Sequence, residues 1–188
     1  MALKTLVKVS GVNNLSNARF CAGMGVDMLG FDMDTLPIEQ YNEIRNWVAG
    51  VKIVGETNET EVEKVLSKIE AFKPDLVEIT DFDLAVELYK RSDIEVIFVE
   101  NSVKSILNYT DNIKFLEFKK IDSKSLELFF SYAAEPYLLV AANNLNDNNI
   151  QLEGNKFGIT IEADTEERPG FSHFENTMEI LESLEIED

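Results

Sequence analysis

Seven carboxylates stand at or just past the ends of short apolar runs: Asp32, Asp34, Glu56, Glu100, Glu117, Glu162 and Asp164. Brought to one rim, such a set would hold a hard divalent cation, an amine-bearing ligand or a basic peptide. Taken singly, each is as well explained by solvation or by a favourable place at a helix N-terminus. Ser10 closes the first apolar run, and a serine hydroxyl acts as a base or nucleophile only beside a second base. The sole histidine, His173, stands at the start of the last helical segment, where an ordinary solvated role accounts for it. Cys21, the sole cysteine, sits among small residues of a helical segment and reads as packing. Alone it makes neither an internal disulfide nor a thiolate metal site, which fits a reducing cytoplasm. Trp47 closes the second helical segment, where packing against the body of the protein is expected rather than stacking on a ligand.

These groups must be positioned by the elements around them. Runs rich in Val, Ile, Leu and Phe are expected as strands at Thr5–Val9, Asp27–Phe31, Val51–Gly55, Asp75–Ile79, Ile94–Val99, Ile113–Phe118, Tyr137–Val140 and Phe157–Ile161. Segments of helical period separate them. In the third, Asn58 and Glu61 have capping-box spacing ahead of the stripe Val62, Val65, Leu66, Ile69 and Phe72, and Pro74 ends the helix. Ser172 and Glu175 repeat that spacing before Met178 and Leu181 in the last. Asp122 or Ser123 can cap the sixth, with Leu126, Phe129, Phe130 and Ala133 facing inward. The fifth and seventh, Ser102–Asn108 and Asn146–Leu152, are short and weakly amphipathic.

Strict strand-then-helix alternation implies parallel strands with right-handed crossovers, and eight repeats close into a (β/α)8 barrel of the TIM type. An open doubly wound sheet is the rival, but the Ser10-Gly11-Val12-Asn13-Asn14 turn is not the Gly-rich phosphate turn such a sheet carries after its first strand. The expectation is thus a small α/β barrel of one domain spanning residues 1–188. No stretch approaches the roughly 20 apolar residues of a membrane span, and the N-terminus has no apolar export core. With 35 acidic against 17 basic residues, the net charge of −18 repels phosphate backbones and anionic membranes. Nucleic-acid and membrane partners are therefore excluded, and a cytoplasmic monomer or homodimer is expected.

Three motifs carry a resemblance. The chain opens Lys8-Val9-Ser10-Gly11-Val12-Asn13, then Gly25-Val26-Asp27-Met28-Leu29-Gly30-Phe31. It later reads Leu138-Leu139-Val140-Ala141-Ala142-Asn143-Asn144-Leu145-Asn146, and Pro169-Gly170 precedes the last helix. In this order they resemble phosphoribosylanthranilate isomerase, whose patterns are K-x-C-G-[IL]-T, G-A-D-x-x-G-F, L-S-G-G-L-N and P-G-x-K-D. The resemblance implies a TIM barrel of tryptophan biosynthesis that needs no cofactor and no metal. It also implies an Amadori rearrangement with a cysteine as general base and an aspartate as general acid.

Carried over residue by residue, the base position is Ser10 and the acid position falls at or next to Glu117, in Phe115-Leu116-Glu117-Phe118-Lys119. A slip of one residue would turn Glu117 away from the lumen. Asp34 lies in the acidic loop Asp32–Pro37, where the family has a basic K-S-x-R-Y loop. Asn143 and Asn144 replace a Gly-Gly pair, and Glu162-Ala163-Asp164 replaces an S-S-G turn, so Asn143, Asn144, Glu162, Asp164 and Asp34 are the candidate substrate-contacting residues. A free thiol titrates near pH 8.5 and can be tuned, whereas an unassisted hydroxyl is no base near neutrality. Carboxylates beside a bound phosphate would cost several kcal/mol in a partly desolvated pocket, so phosphate binding in the family's manner is not expected. Two readings follow. One is an isomerase-like barrel with weakened or lost activity and a small-molecule ligand at the mouth. The other is a non-catalytic binding or scaffold barrel whose acidic rim takes a divalent cation or a basic partner.

Overall fold

A computed structural model describes residues 2–100, 113–122, 124–126, 129, 137–143, 157–164, 166–168, 171–172 and 174–186. Eight parallel strands form a closed barrel in chain order: β1 Val7–Ser10, β2 Met28–Asp32, β3 Lys52–Glu56, β4 Leu76–Ile79, β5 Glu95–Glu100, β6 Ile113–Phe118, β7 Tyr137–Ala141 and β8 Phe157–Glu162. Closure is made by β8 pairing with β1, with Ser10 opposite Glu162. The described helices are α1 Leu15–Gly23, α2 Ile38–Arg45, α3 Val62–Phe72, α4 Phe82–Arg91 and α5 Glu175–Ser183. None is long and apolar enough to cross a membrane.

Successive strand residues face opposite sides, and the two faces have different chemistry. One face packs Val7, Val9, Leu29, Phe31, Val77, Ile79, Val140 and Ile159 into the layer under the helices. The other fills the lower lumen with Met28, Val54, Leu76, Ile97 and Leu139, joined by Leu6 and Phe115. Two residues further along four of these strands the lumen turns polar, at Lys8, Glu56, Glu78 and Glu117.

Several strands end one residue later than the apolar pattern predicts. Ser10, Asp32, Glu56, Glu100 and Glu162 are the last strand residues rather than the first loop residues. The ladder continues through them, pairing Asp32 with Glu56 and Glu56 with Glu78. Polar side chains hid this from a hydropathy reading, because backbone pairing does not depend on side-chain polarity.

The capping expectations are corrected in two places. Helix α3 starts at Val62 behind Glu61 with no side-chain cap, so the N-cap position falls three residues past Asn58, whose backbone N–H donates to Asp34. Helix α5 starts at Glu175 behind Phe174, again without a side-chain cap. Ser172 instead belongs to β10 (Phe171–Ser172), which pairs antiparallel with β9 (Glu166–Arg168) in a hairpin that no motif announced. Asp122 does cap its turn, accepting from the Ser125 amide at 2.8 Å, and Leu126 and Phe129 are buried. Ser123, Phe130, Ala133, His173, Pro169-Gly170 and the fifth and seventh helical segments lie outside the described residues. Trp47 departs from expectation as well. It is 66% exposed, with the Arg19 guanidinium 5.7 Å from its ring centroid, because α2 ends at Arg45 and leaves the indole on the solvent side.

Candidate functional site at the barrel mouth

The polar layer is built around Lys8. Its position on β1 points it into the lumen, where it is completely buried. An unpaired buried ammonium is prohibitively costly, and this one is surrounded. Its Nζ donates to Ser10 Oγ at 2.8 Å and Glu117 Oε2 at 2.9 Å, bonds Glu78 Oε2, and lies 3.2 Å from Glu56 Oε1. Burial alone would lower its pKa. The carboxylates of Glu78, Glu117 and Glu56 outweigh that and hold it well above the usual lysine range.

A second cation closes the layer from above. Lys119, one residue past β6, places Nζ 2.6 Å from Glu117 Oε1, 3.6 Å from Glu162 Oε1 and 3.9 Å from Glu78 Oε1. The two acids beneath it are thereby driven apart. Burial raises the Glu117 carboxyl, but Lys8 and Lys119 together overcome this and keep it below the ordinary range. Glu78 has one close cation. Burial, with Glu117 and Glu56 beside it, pushes its carboxyl up to about 7.

Glycines shape the surrounding wall. A Cβ on Gly30 would run into the Glu56 carboxyl, so β2 leaves the space that lets Glu56 lean toward Lys8. At Gly11 the left-handed φ of 69° turns the chain after β1, and its amide donates to Glu56 Oε2 at 2.9 Å.

The candidate residues separate into those that meet and those that do not. Ser10 and Glu117 meet through Lys8, and Glu117 faces the lumen with no exposure at all. Glu162 stands at the rim with its side chain 73% exposed, beside Lys119. Asn143, with Thr160 and Lys119, lines a larger groove between the last strands and α5. Asn144 lies outside the described residues. Asp34 is turned away from the mouth. Its carboxylate accepts from Thr57 Oγ1 at 2.6 Å and the Asn58 amide at 2.7 Å and pairs with Lys68 on α3. Burial would raise it, but the Lys68 bond leads the contacts that hold its carboxyl below the ordinary range. Asp164 is likewise spent, bonding the Thr177 hydroxyl in the first turn of α5 while its carbonyl accepts from Asn17. Cys21 is buried, and burial with Asp164 nearby pushes its thiol up to about 12, which makes it inert. Among the described residues no group of three acidic, histidine or cysteine side chains could hold a metal ion.

Sequence reasoning missed Lys8, Glu78 and Lys119 as site residues. The signal was an ionisable residue at an inward position of an otherwise apolar strand, as in Val7-Lys8-Val9 and Val77-Glu78-Ile79. A charge there is buried only if something pairs it.

Solved structures with this architecture match the chain end to end. A phosphoribosyl anthranilate isomerase in complex with reduced 1-(o-carboxyphenylamino)-1-deoxyribulose 5-phosphate aligns over 96% of this chain and 97% of its own, at 20% identity and a TM-score of 0.72. The chain has the phosphoribosylanthranilate isomerase fold. The isomerase from Thermus thermophilus agrees, with 16% identity, coverage of 96% and 98%, and a TM-score of 0.74. A truncated 3-deoxy-D-arabino-heptulosonate 7-phosphate synthase from Thermotoga maritima also matches, at 13% identity, 95% and 84% coverage and a TM-score of 0.68. The barrel is thus shared with a protein named for a different reaction, and the fold alone does not set the chemistry at its mouth. No protein-family model and no curated protein matches the chain by sequence.

Proposed function

We propose that this chain is a barrel of the phosphoribosylanthranilate isomerase lineage in which the isomerase activity has been lost. The lineage is supported by three motifs in the isomerase order on a barrel of the same fold. The loss is supported above all by one observation: Ser10, at the cysteine position, accepts a hydrogen bond from the buried Lys8 ammonium. A base must take a proton, and this hydroxyl is instead held by a charged donor. Three carboxylates keep Lys8 protonated, so it cannot relieve Ser10 of its own proton. Phosphate binding is opposed as well. Glu162 ends β8 and Asp164 follows it, where barrels of this type bind phosphate, and the Asp164 carboxylate already bonds the first turn of α5.

The test is conversion of phosphoribosylanthranilate by the purified protein, together with complementation of a tryptophan auxotroph lacking the isomerase. No conversion and no growth are expected, and Ser10→Cys alone should restore neither. Growth supported by the unaltered chain would overturn the reading. The rival reading, a binding or scaffold barrel with an acidic rim, keeps its basic-partner form. Its divalent-cation form is weakened, since Asp34 and Asp164 are engaged elsewhere.

A further inference from the structure

The lost isomerase leaves one carboxyl at the mouth without a task. Glu78 reaches a cleft of about 220 Å³ lined also by Ser10, Asp32, Thr57, Thr80, Lys119 and Glu162. Its side chain is 13% exposed, enough to meet a small molecule while remaining desolvated. Charged groups face it from β1 (Lys8), β3 (Glu56) and β6 with its exit (Glu117, Lys119), and Glu162 of β8 lines the same cleft, while β5 contributes apolar Ile97. With Asp32 of β2, five carboxylates against two ammonium groups leave an excess of negative charge among the described residues. Glu117 has both cations within 3 Å, at 2.9 and 2.6 Å, whereas Glu78 has Lys8 close and Lys119 at 3.9 Å. Glu78 is therefore the carboxyl that takes up or releases a proton near neutrality, in keeping with its rise to about 7. Two carboxyls driven apart beside a fixed cation are the usual components of acid–base chemistry.

We propose that Glu78 and Lys119 form a proton-transfer site for small, neutral α-hydroxy aldehydes and ketones. Glu78 as carboxylate takes the proton from the carbon that bears the hydroxyl. The C–H electron pair becomes the C=C bond of an enediolate, and the carbonyl π pair moves onto oxygen, where the Lys119 ammonium stabilises the charge. Returning the proton from Glu78 to the same carbon regenerates the starting compound; when the hydroxyl proton of the enediolate first passes to the neighbouring charged oxygen, delivery of the Glu78 proton to the other carbon gives the aldose–ketose isomer, with no oxidant or co-reactant. The substrate class follows from the cleft. Excess carboxylate repels anions, including phosphate esters. The lining of hydroxyls, carboxylates and the Asn58 amide matches a polyol, and at roughly 30 Å³ per water-sized group the volume suits a triose.

The experiment uses dihydroxyacetone with the purified full chain in D2O buffers from about pH 5 to about pH 9, followed by proton NMR. The expected result is loss of C–H signal and appearance of glyceraldehyde above a protein-free blank, at a rate that rises with pH and levels off above neutrality. Glu78→Gln should lower the rate about a hundredfold while the circular dichroism spectrum is kept. Lys119→Met should lower it and move the pH midpoint upward, because the Lys119 ammonium helps hold the Glu78 carboxyl down. Exchange equal to the blank at every pH, or an undiminished rate in Glu78→Gln, overturns the proposal. If that variant does not fold, the unaltered chain decides, because a rate that climbs with hydroxide without levelling also overturns it. The outcome is independent of the phosphoribosylanthranilate assay, since that substrate carries a phosphate and dihydroxyacetone does not.

Discussion

At the residue scale, the site is governed by competition among four carboxyls for two ammonium groups. Glu117 wins both lysines and stays ionised, and Glu78 bears the excess. A carboxyl raised from 4.5 to about 7 in the folded chain binds a proton there that the unfolded chain has already released. Folding stability therefore falls as pH rises through that window. At about 1.36 kcal/mol per pH unit the loss is on the order of 3 kcal/mol between about pH 4.5 and 7. Glu78→Gln, which still accepts from Lys8, should flatten this part of the curve in urea unfolding. A slope the same as that of the unaltered protein would mean another group carries the titration.

At the element scale, strands place these groups and small residues make room for them. Gly30 on β2 is such a place, because β2 lies between the strand carrying Lys8 and the strand carrying Glu56. Gly30→Ala should push the Glu56 carboxyl off Lys8 and cost roughly 1–3 kcal/mol, the usual range for overpacking. If the cost comes from that collision, Gly30→Ala with Glu56→Ala should cost less than the sum of the two single changes. Additive costs in chemical denaturation would show that the side chains do not meet. Asp34 illustrates the opposite use of an acid. It ties the loop after β2 to the loop after β3 and to α3 through Thr57, Asn58 and Lys68, so its charge serves the frame rather than the mouth.

At the scale of the whole molecule, a net charge of −18 acts as a diffuse self-repulsion. Salt should relieve it, and the identity of the cation tests whether any carboxylates cooperate. With Asp34 and Asp164 engaged by Lys68 and Thr177, Mg²⁺ and an ionic-strength-matched amount of Na⁺ should raise the melting temperature equally. A larger rise with Mg²⁺ would reveal a bound ion and restore the divalent-cation reading of the rim.

The sequence by itself determined the barrel. Eight apolar runs alternating with helical segments leave few other ways to bury both faces of parallel strands, and local hydrophobic period is enough to see it. It also marked Ser10 and Glu117, through motifs whose spacing is local. Only the tertiary structure decided what those residues are bonded to. Lys8 is 70 residues from Glu78 and 109 from Glu117, and the strands that carry them converge only when β8 closes on β1. Pairing of charges is a matter of a few ångströms between side chains from different strands, and hydropathy along one strand contains no record of it. The same holds for Asp34 and Asp164, which lie beyond strand ends as the sequence suggested but are turned aside by Thr57, Lys68 and Thr177 on other elements. The sequence thus showed that the mouth would be acidic, while the partnering of each acid, which sets its protonation and its chemistry, was decided by the closed barrel.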